Sequence, residues 1–162
     1  MSSKTFWQLV AVLCTFLVAL ILDIAPWPKD LQYFRPSWLV LVLMYWILAI
    51  PNKVNIGAAF VLGIIFDFVI GSVLGVHALI FSIFAYFIAR GHLVLRNLSL
   101  WFQSILVVFF VIGVQFGIFV VEYTLHKVTF NSEELVGALF SGILWPWLFL
   151  LLRKIRRQVK LR

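Results

Sequence analysis

Long apolar runs separated by short polar connections are the feature that most constrains the fold of this chain. Hydrophobic residues make up 64% of its 162 positions, and charged residues only 12%. Soluble domains are closer to half apolar and one quarter charged, so a water-soluble fold could not bury this much apolar surface. A helix of about 20 apolar residues spans a 30 Å hydrocarbon core. The sequence therefore predicts an all-α integral membrane protein.

The apolar runs predict a bundle of six transmembrane helices, formed by a single polytopic domain at residues 1–162. A basic cytoplasmic tail is predicted at residues 153–162. The second run is short, so a full span and a re-entrant element both remain open for it. The predicted spans are residues 6–25, 37–50, 54–71, 76–89, 101–121 and 135–152.

The distribution of charge predicts the orientation of the chain. Of the 13 Lys and Arg residues, all but Lys29, Arg35 and Lys127 fall on the side of the two termini. Cytoplasmic connections carry an excess of Lys and Arg, so both termini are predicted to be cytoplasmic (N-in/C-in). Basic residues placed in this way indicate membrane topology and give no reason to expect a nucleic-acid partner.

The acidic residues are predicted at or beyond the outer interface, except Asp67, which falls inside an apolar run. The basic tail is predicted to anchor the C-terminus at anionic membrane lipids, with contact to a cytoplasmic partner as the alternative. The anchoring residues are Arg153, Lys154, Arg156 and Arg157.

Gly63, Asp67, Gly71 and Gly75 are spaced four residues apart. On a single helix they would share one face. Glycine lets a neighbouring backbone approach closely, and a carboxylate at this depth must face protein, water or a cation. We therefore predict a helix-packing seam here, used inside the bundle or offered to a partner, which could include a second copy of the chain.

Asp67 lies on the third predicted span, which a tight turn at residues 51–53 joins to the second. Counting outward from that turn places Asp67 level with Arg35 and Pro36. We expect an Asp67–Arg35 pair at the corner that precedes the second span, where it would fix the helix register. A proton or ion site at Asp67 is the alternative.

Trp145, Pro146 and Trp147 follow one another in the last predicted span. Pro146 removes one backbone hydrogen bond and pushes against the carbonyl four residues earlier, so a kink is expected. The motif is interpreted either as an internal packing kink between two bulky rings or as a surface for a partner helix.

No set of residues has the spacing of a catalytic or metal site. His77, His92 and His126 fall on different elements, without carboxylates at metal-ligand spacing. The sequence also lacks a recognisable nucleophile–base pair and a glycine-rich phosphate loop. We therefore expect no enzymatic activity, no cofactor and no metal, and an intramembrane enzyme is the least favoured alternative.

An ordered set of motifs resembles the MreD family of bacterial rod shape-determining membrane proteins, in its proteobacterial form. The resemblance extends in order over nearly the whole chain. The motifs are FRPSW at residues 34–38, YWILAIP at 45–51, the Gly63–Gly75 stripe, GILWPW at 142–147 and RK at 153–154.

The resemblance implies a multi-pass protein of the bacterial inner membrane that is needed for rod cell shape. It implies membership of the elongasome, the machinery of peptidoglycan synthesis along the side wall. The implied role is a scaffold for MreC, the main partner, and through MreC for MreB, RodA and a class B penicillin-binding protein. The resemblance also implies a fold similar to the S-components of energy-coupling-factor vitamin transporters.

The alternative function is that of a ligand-binding membrane protein like such an S-component. Its ligand would be a small molecule or a lipid-linked cell-wall precursor, held in a cavity by polar groups at one depth. The candidate polar residues for this reading are Asp67, His77 and Gln115.

Overall fold

The computed structural model describes residues 3–126, Thr129 and residues 132–159. These ranges form a helical bundle, which confirms the predicted all-α membrane class. Lys127 and, in the predicted tail, residues 160–162 lie outside the described ranges. The elements are α1 (Ser3–Ile24), a 3-10 segment (Lys29–Phe34), α2 (Trp38–Ala49), α3 (Ile56–Ile70), α4 (Val76–Asn97), α5 (Leu100–His126) and α6 (Glu133–Gln158).

The start of α1 and the end of α6 lie at the same end of the bundle. The Gln8 Nε2 group donates to the Val159 carbonyl at 3.4 Å, and Lys53 Nζ donates to Gln8 Oε1 at 3.2 Å. We call this the terminal end. The opposite, distal end carries the connections α1–α2, α3–α4 and α5–α6.

Helix α2 is the core of the bundle. Its residues 39–48 are all buried, against α1, α4 and α6. Its 12 residues rise only about 18 Å, well short of a 30 Å hydrocarbon core. Because protein surrounds α2, other helices can satisfy its ends, and they need not reach the lipid headgroups.

Five helical stretches of the described chain are long and apolar enough to cross a membrane, which makes this a multi-pass protein. Helix α3 is apolar but shorter, at 15 residues. The second stretch combines the 3-10 segment with α2. The five stretches are Phe6–Ile24, Lys29–Ala49, Val76–Asn97, Leu100–Leu125 and Glu133–Gln158.

Three helices, α4, α5 and α6, continue past the ends that the sequence predicts. The predicted span 76–89 stops before Arg90, whereas α4 runs on to Asn97. Arg90 is exposed on the outside of α4 and donates to the Tyr86 hydroxyl at 2.8 Å. Charge at this position therefore does not end the helix. For the same reason α6 continues to Gln158, so the first residues of the predicted tail are helical.

Candidate functional site at the distal end

The four residues of the Gly63–Gly75 stripe do not share one helix face, although the predicted spans correctly place a connection after Gly71. Helix α3 ends at Ile70, and only Gly63 and Asp67 of the stripe belong to it. Gly71 (φ +74°) and Gly75 (φ +102°) have left-handed backbone conformations in the turn between α3 and α4. Glycine adopts such angles without steric cost, which is why it ends helices and opens tight turns.

Gly63 does have the predicted role of allowing close approach. A Cβ atom at this position would overlap the backbone of His77 and Ala78 on α4. The glycine is therefore used inside the bundle and is not available to a second copy of the chain. Its close contact brings Asp67, one turn further along α3, to the start of α4.

Asp67 is fully buried and accepts hydrogen bonds from donors in the turn and in the first turn of α4. Its Oδ1 atom accepts from Ser72 Oγ at 2.8 Å, from the His77 backbone N–H at 3.2 Å and from His77 Nδ1 at 2.6 Å. Its Oδ2 atom accepts from the Gly75 N–H at 2.8 Å and the Ala78 N–H at 3.5 Å.

These contacts make Asp67 a cap for the next helix in the chain. The first N–H groups of an α-helix have no partner within the helix, and the positive end of the helix dipole favours a carboxylate there. Asp67 satisfies these groups on α4 from the preceding helix. Because donors already surround both oxygens, the geometry supports a structural role over the alternative of a proton or ion site.

The predicted Asp67–Arg35 pair is also wrong. Within the described chain, the ring that contacts the Asp67 carboxylate is that of His77, with 2.6 Å between His77 Nδ1 and Asp67 Oδ1. The turn between α3 and α4 folds the donors of α4 directly onto the carboxylate, which leaves no need for an arginine. Arg35 is exposed and lies within electrostatic range of Asp23 instead.

Asp23 is a second buried carboxylate, whereas the sequence suggested a place at or beyond the outer interface. Its Oδ1 atom accepts from the Trp38 N–H at 3.1 Å, and its Oδ2 atom accepts from the Leu39 N–H at 2.8 Å. On α6, the Ser141 Oγ atom accepts from the Ser37 N–H at 3.1 Å. Side chains of α1 and α6 therefore cap the N-terminus of α2.

The Arg35–Pro36 corner is seated directly on α6. Pro36 is buried, and a Cβ atom at Gly137 would overlap the Arg35 carbonyl oxygen. Just before the corner, the Phe34 ring packs edge-on against Phe140, with 4.8 Å between ring centroids. The corner therefore fixes the position of α6 against the start of α2.

A cavity of about 410 Å³ opens between these elements, and we call it the distal cavity. Asp67 does not line it but binds His77, which does. The Gln115 Oε1 atom is buried and has no hydrogen-bond partner among the described residues. The polar side chains of the wall include Asp23, Arg35, His77, Gln115, Glu133 and Glu134.

Gln103 forms a polar cluster at the terminal end that the sequence did not suggest. Its Nε2 atom donates to the carbonyls of Leu95 at 3.0 Å and Leu98 at 3.1 Å, at the end of α4. Its Oε1 atom accepts from Trp145 Nε1 at 3.1 Å. Trp145 is fully buried, so its part in the Trp-Pro-Trp motif is internal packing.

Trp147 lies on the other side of α6 and is 81% exposed. Pro146 between the two tryptophans is half-buried, and α6 continues through it. Exposed apolar side chains recur every four residues along this face, and we call them the α6 stripe. The stripe consists of Leu139, Ile143, Trp147 and Leu151.

The predicted anchoring residues lie on the last turns of α6, at the terminal end. Arg153, Lys154 and Arg157 are exposed and Arg156 is half-buried. Among the described residues, no group of three His, Cys, Asp or Glu side chains could hold a metal ion.

The fold and these contacts define a small multi-pass helical membrane protein whose buried polar side chains cap the ends of its own helices. The model of the family described as rod shape-determining protein MreD matches residues 3–155. A rod shape-determining protein MreD of Haemophilus influenzae is 54% identical over 161 residues, which cover 99% of each chain. This chain belongs to the MreD family, in its proteobacterial form, and the family determines cell shape. No solved structure matches.

Proposed function

We propose that this protein is a non-catalytic component of the bacterial elongasome in the inner membrane, where it holds MreC. Through MreC it would be joined to MreB, RodA and a class B penicillin-binding protein. Family membership supports a role in cell shape. The exposure of Trp147 on α6 is the structural observation that supports a helix-binding surface. Both termini would be cytoplasmic, which agrees with the concentration of Lys and Arg at the terminal end.

Trp147 is in an unusual place for an exposed tryptophan of a membrane protein. Tryptophan normally collects at the membrane–water interface, where its N–H group can reach water or headgroups. Trp147 precedes Arg153 by six residues of α6, which places it about 9 Å further into the membrane. Among the described residues, no hydrogen-bond partner is found for its indole N–H. An acceptor on a neighbouring transmembrane helix would satisfy it.

The rest of the α6 stripe suits a single partner helix. Leu139, Ile143 and Leu151 are each more than half exposed and flank Trp147 at intervals of four residues. Side chains at this spacing form one line along a helix, into which the side chains of a second helix can fit. The membrane span of MreC is the occupant we propose.

Copurification with MreC tests the proposal. The complex would be extracted from its own membrane in mild detergent, and native mass spectrometry would give the ratio of the two chains. Trp147→Ala should reduce the MreC retained more than about tenfold, as expected for a tryptophan at the centre of an interface. Trp101→Ala is the matched control, because Trp101 is 80% exposed in the first turn of α5, where an interfacial tryptophan is expected.

A fixed ratio with MreC that survives Trp101→Ala and is lost in Trp147→Ala supports the proposal. Equal retention by both variants would remove the α6 stripe as the binding surface. If the unmodified protein purifies without MreC, the proposal that it holds MreC is contradicted.

The distal cavity gives a specific reason to keep ligand binding as a second candidate function. Its volume of about 410 Å³ suits a small ligand, and the Gln115 Oε1 atom is buried without a donor. The candidate ligand is a small molecule or a lipid-linked cell-wall precursor. Saturable binding of such a precursor that is lost in Gln115→Leu, by a chain that purifies without MreC, would favour this function over the scaffold.

A further inference from the structure

A second cavity, of about 430 Å³, lies at the terminal end, and we call it the basic cavity. Its wall joins α2, the α4–α5 connection and α6. Its polar side chains include Tyr45, Arg96, Ser99, Arg153 and Arg156. Since three of these carry a positive charge, the cavity differs from the distal one, whose wall contains carboxylates.

Tyr45 contributes a buried hydroxyl group to this cavity. The residue is 1% exposed, and its hydroxyl has no hydrogen-bond partner among the described residues. Edge-on contacts with Trp46 and Phe149, each with 5.3 Å between ring centroids, hold the ring. A buried hydroxyl without a partner is costly, so a ligand atom that accepts its hydrogen bond would be stabilising.

The three arginines of the basic cavity have no carboxylate partner in the described chain. The side-chain contact between a carboxylate and a basic residue that the described chain does contain is His77–Asp67, at the distal end. All the acidic side chains of the sequence lie in the distal half of their elements or in distal connections. They are Asp23, Asp30, Asp67, Glu122, Glu133 and Glu134. None of the Asp or Glu side chains can therefore balance the positive charge of these three arginines, and another negatively charged group must do so.

The N-terminus of α5 adds a further attraction for an anion. Ser99 and Leu100, the residues at which the connection ends and α5 begins, line the basic cavity. The first N–H groups of a helix have no partner within it, and the positive end of the helix dipole attracts phosphate. Helix α5 is 27 residues long, so its dipole is fully developed.

We propose that the basic cavity binds the phosphate group of an anionic ligand, with Tyr45 donating its hydroxyl and Arg96, Arg153 and Arg156 surrounding the charge. Guanidinium groups match the planar geometry of two phosphate oxygens and stay charged at every physiological pH. The phosphate would belong to the headgroup of an anionic phospholipid or to a soluble phosphate compound. This site does not depend on binding to MreC.

The test is a binding titration of the full-length, delipidated protein in detergent, followed by native mass spectrometry. Phosphatidylglycerol is the lipid probe, phosphatidylcholine is its neutral counterpart, and inorganic phosphate is the soluble probe. Arg96→Gln and Arg156→Gln should each weaken binding about tenfold, the effect of losing a charge-assisted hydrogen bond. Tyr45→Phe should weaken it by about threefold to tenfold, because only a neutral donor is lost.

Two matched variants separate a built site from general attraction to a basic surface. Arg157→Gln removes the same charge from α6 at a residue that does not line the cavity. Tyr86→Phe removes an exposed hydroxyl that accepts from Arg90. Both controls should stay within about twofold of the unmodified protein, because an exposed charge such as Arg157 contributes little and Tyr86 does not line the cavity. Arg96 is exposed at the end of α4, so its variant should keep the unmodified melting temperature.

A lipid ligand is supported if phosphatidylglycerol binds saturably, if the cavity variants weaken its binding more than the two controls do, and if inorganic phosphate does not compete. A soluble phosphate ligand is supported if the variants rank in the same way and inorganic phosphate does compete. Equal effects of Arg156→Gln and Arg157→Gln, or of Tyr45→Phe and Tyr86→Phe, would overturn the proposal. So would equal binding of phosphatidylcholine.

Discussion

Two buried carboxylates near the distal end cap helices, but they receive very different support. Asp67 caps α4 across a short turn and also accepts from the Ser72 hydroxyl and the His77 imidazole. Asp23 caps α2 across the longer connection that contains the 3-10 segment, and the bonds described for it are two backbone N–H groups. Asp67 is completely buried, whereas Asp23 lines the distal cavity.

The difference indicates what each site contributes to the fold. The Asp67 site is local, because the α3–α4 hairpin supplies the carboxylate and all of its donors. The Asp23 site joins separate parts of the bundle, because Ser141 on α6 also binds the start of α2 at Ser37. We therefore expect substitutions at Asp67 to be more damaging than those at Asp23, where water in the cavity can replace a lost acceptor.

The largest effect is expected for Asp67→Ala. This change leaves the Ser72, Gly75 and His77 donors unsatisfied in a buried site, so the free energy of unfolding should fall by about 3 kcal/mol or more. Chemical unfolding in detergent micelles measures the loss. Asp30→Ala in the exposed 3-10 segment is the control and should change little. Equal stability of the two variants would mean that Asp67 is not a cap.

Gly63→Ala should have the next largest effect. The added Cβ would overlap the backbone of His77 and Ala78, so α3 and α4 must separate. We expect a loss of about 2 kcal/mol, typical of overpacking in a tight core, and a larger loss for Gly63→Leu. Gly113→Ala on α5 is the control, because a Cβ atom there meets nothing within 4 Å. A stable Gly63→Ala protein would contradict the close approach of α3 and α4.

Asp23→Asn should cost about 1 kcal/mol, because the amide keeps one acceptor for Trp38 or Leu39 and loses the other. Asp67→Asn should cost more, since its amide group would face the donors of Ser72 and Gly75. Melting temperatures of the two purified variants, measured side by side, compare the sites directly. The reverse order would show that the longer connection carries the more important cap.

Ser72→Ala should have the smallest effect, about 0.5 kcal/mol, because Asp67 keeps its other donors. Ser82→Ala is the matched control. Its hydroxyl binds the Ala78 carbonyl of its own helix at 2.6 Å, a bond that contributes little to helix stability. Thermal unfolding of both variants should separate them, and identical curves would remove Ser72 from the Asp67 site.

Much of the fold could be predicted from the sequence, because apolar run length and Lys/Arg placement follow directly from the membrane as solvent. The role of Gly63 could also be predicted, since few residues other than glycine allow such close helix contact. The predicted spans place Gly71 and Gly75 at the connection between α3 and α4, but their spacing wrongly assigned them to the packing face of Gly63 and Asp67. A spacing of four residues is typical of one helix face, and the same spacing occurs here in a turn with left-handed backbone, so the spacing alone does not distinguish the two.

The polar partners were harder to predict because they depend on the rotation of helices that are distant in sequence. Gln103 and Trp145 are 42 residues apart and meet only when α5 and α6 face each other correctly. Asp23 finds its donors only because the 3-10 segment folds the start of α2 back against α1. The depth of Asp67 was predicted from its hairpin, but its partner depended on the turn that follows.

The central claim is that the buried carboxylates stabilise the bundle while the α6 stripe binds MreC. The most direct test measures the MreC retained per folded molecule for Asp67→Asn and Trp147→Ala. We predict that Asp67→Asn lowers the melting temperature but retains MreC, and that Trp147→Ala keeps the melting temperature but loses MreC. Loss of MreC from folded Asp67→Asn protein, with full retention by Trp147→Ala, would contradict the claim.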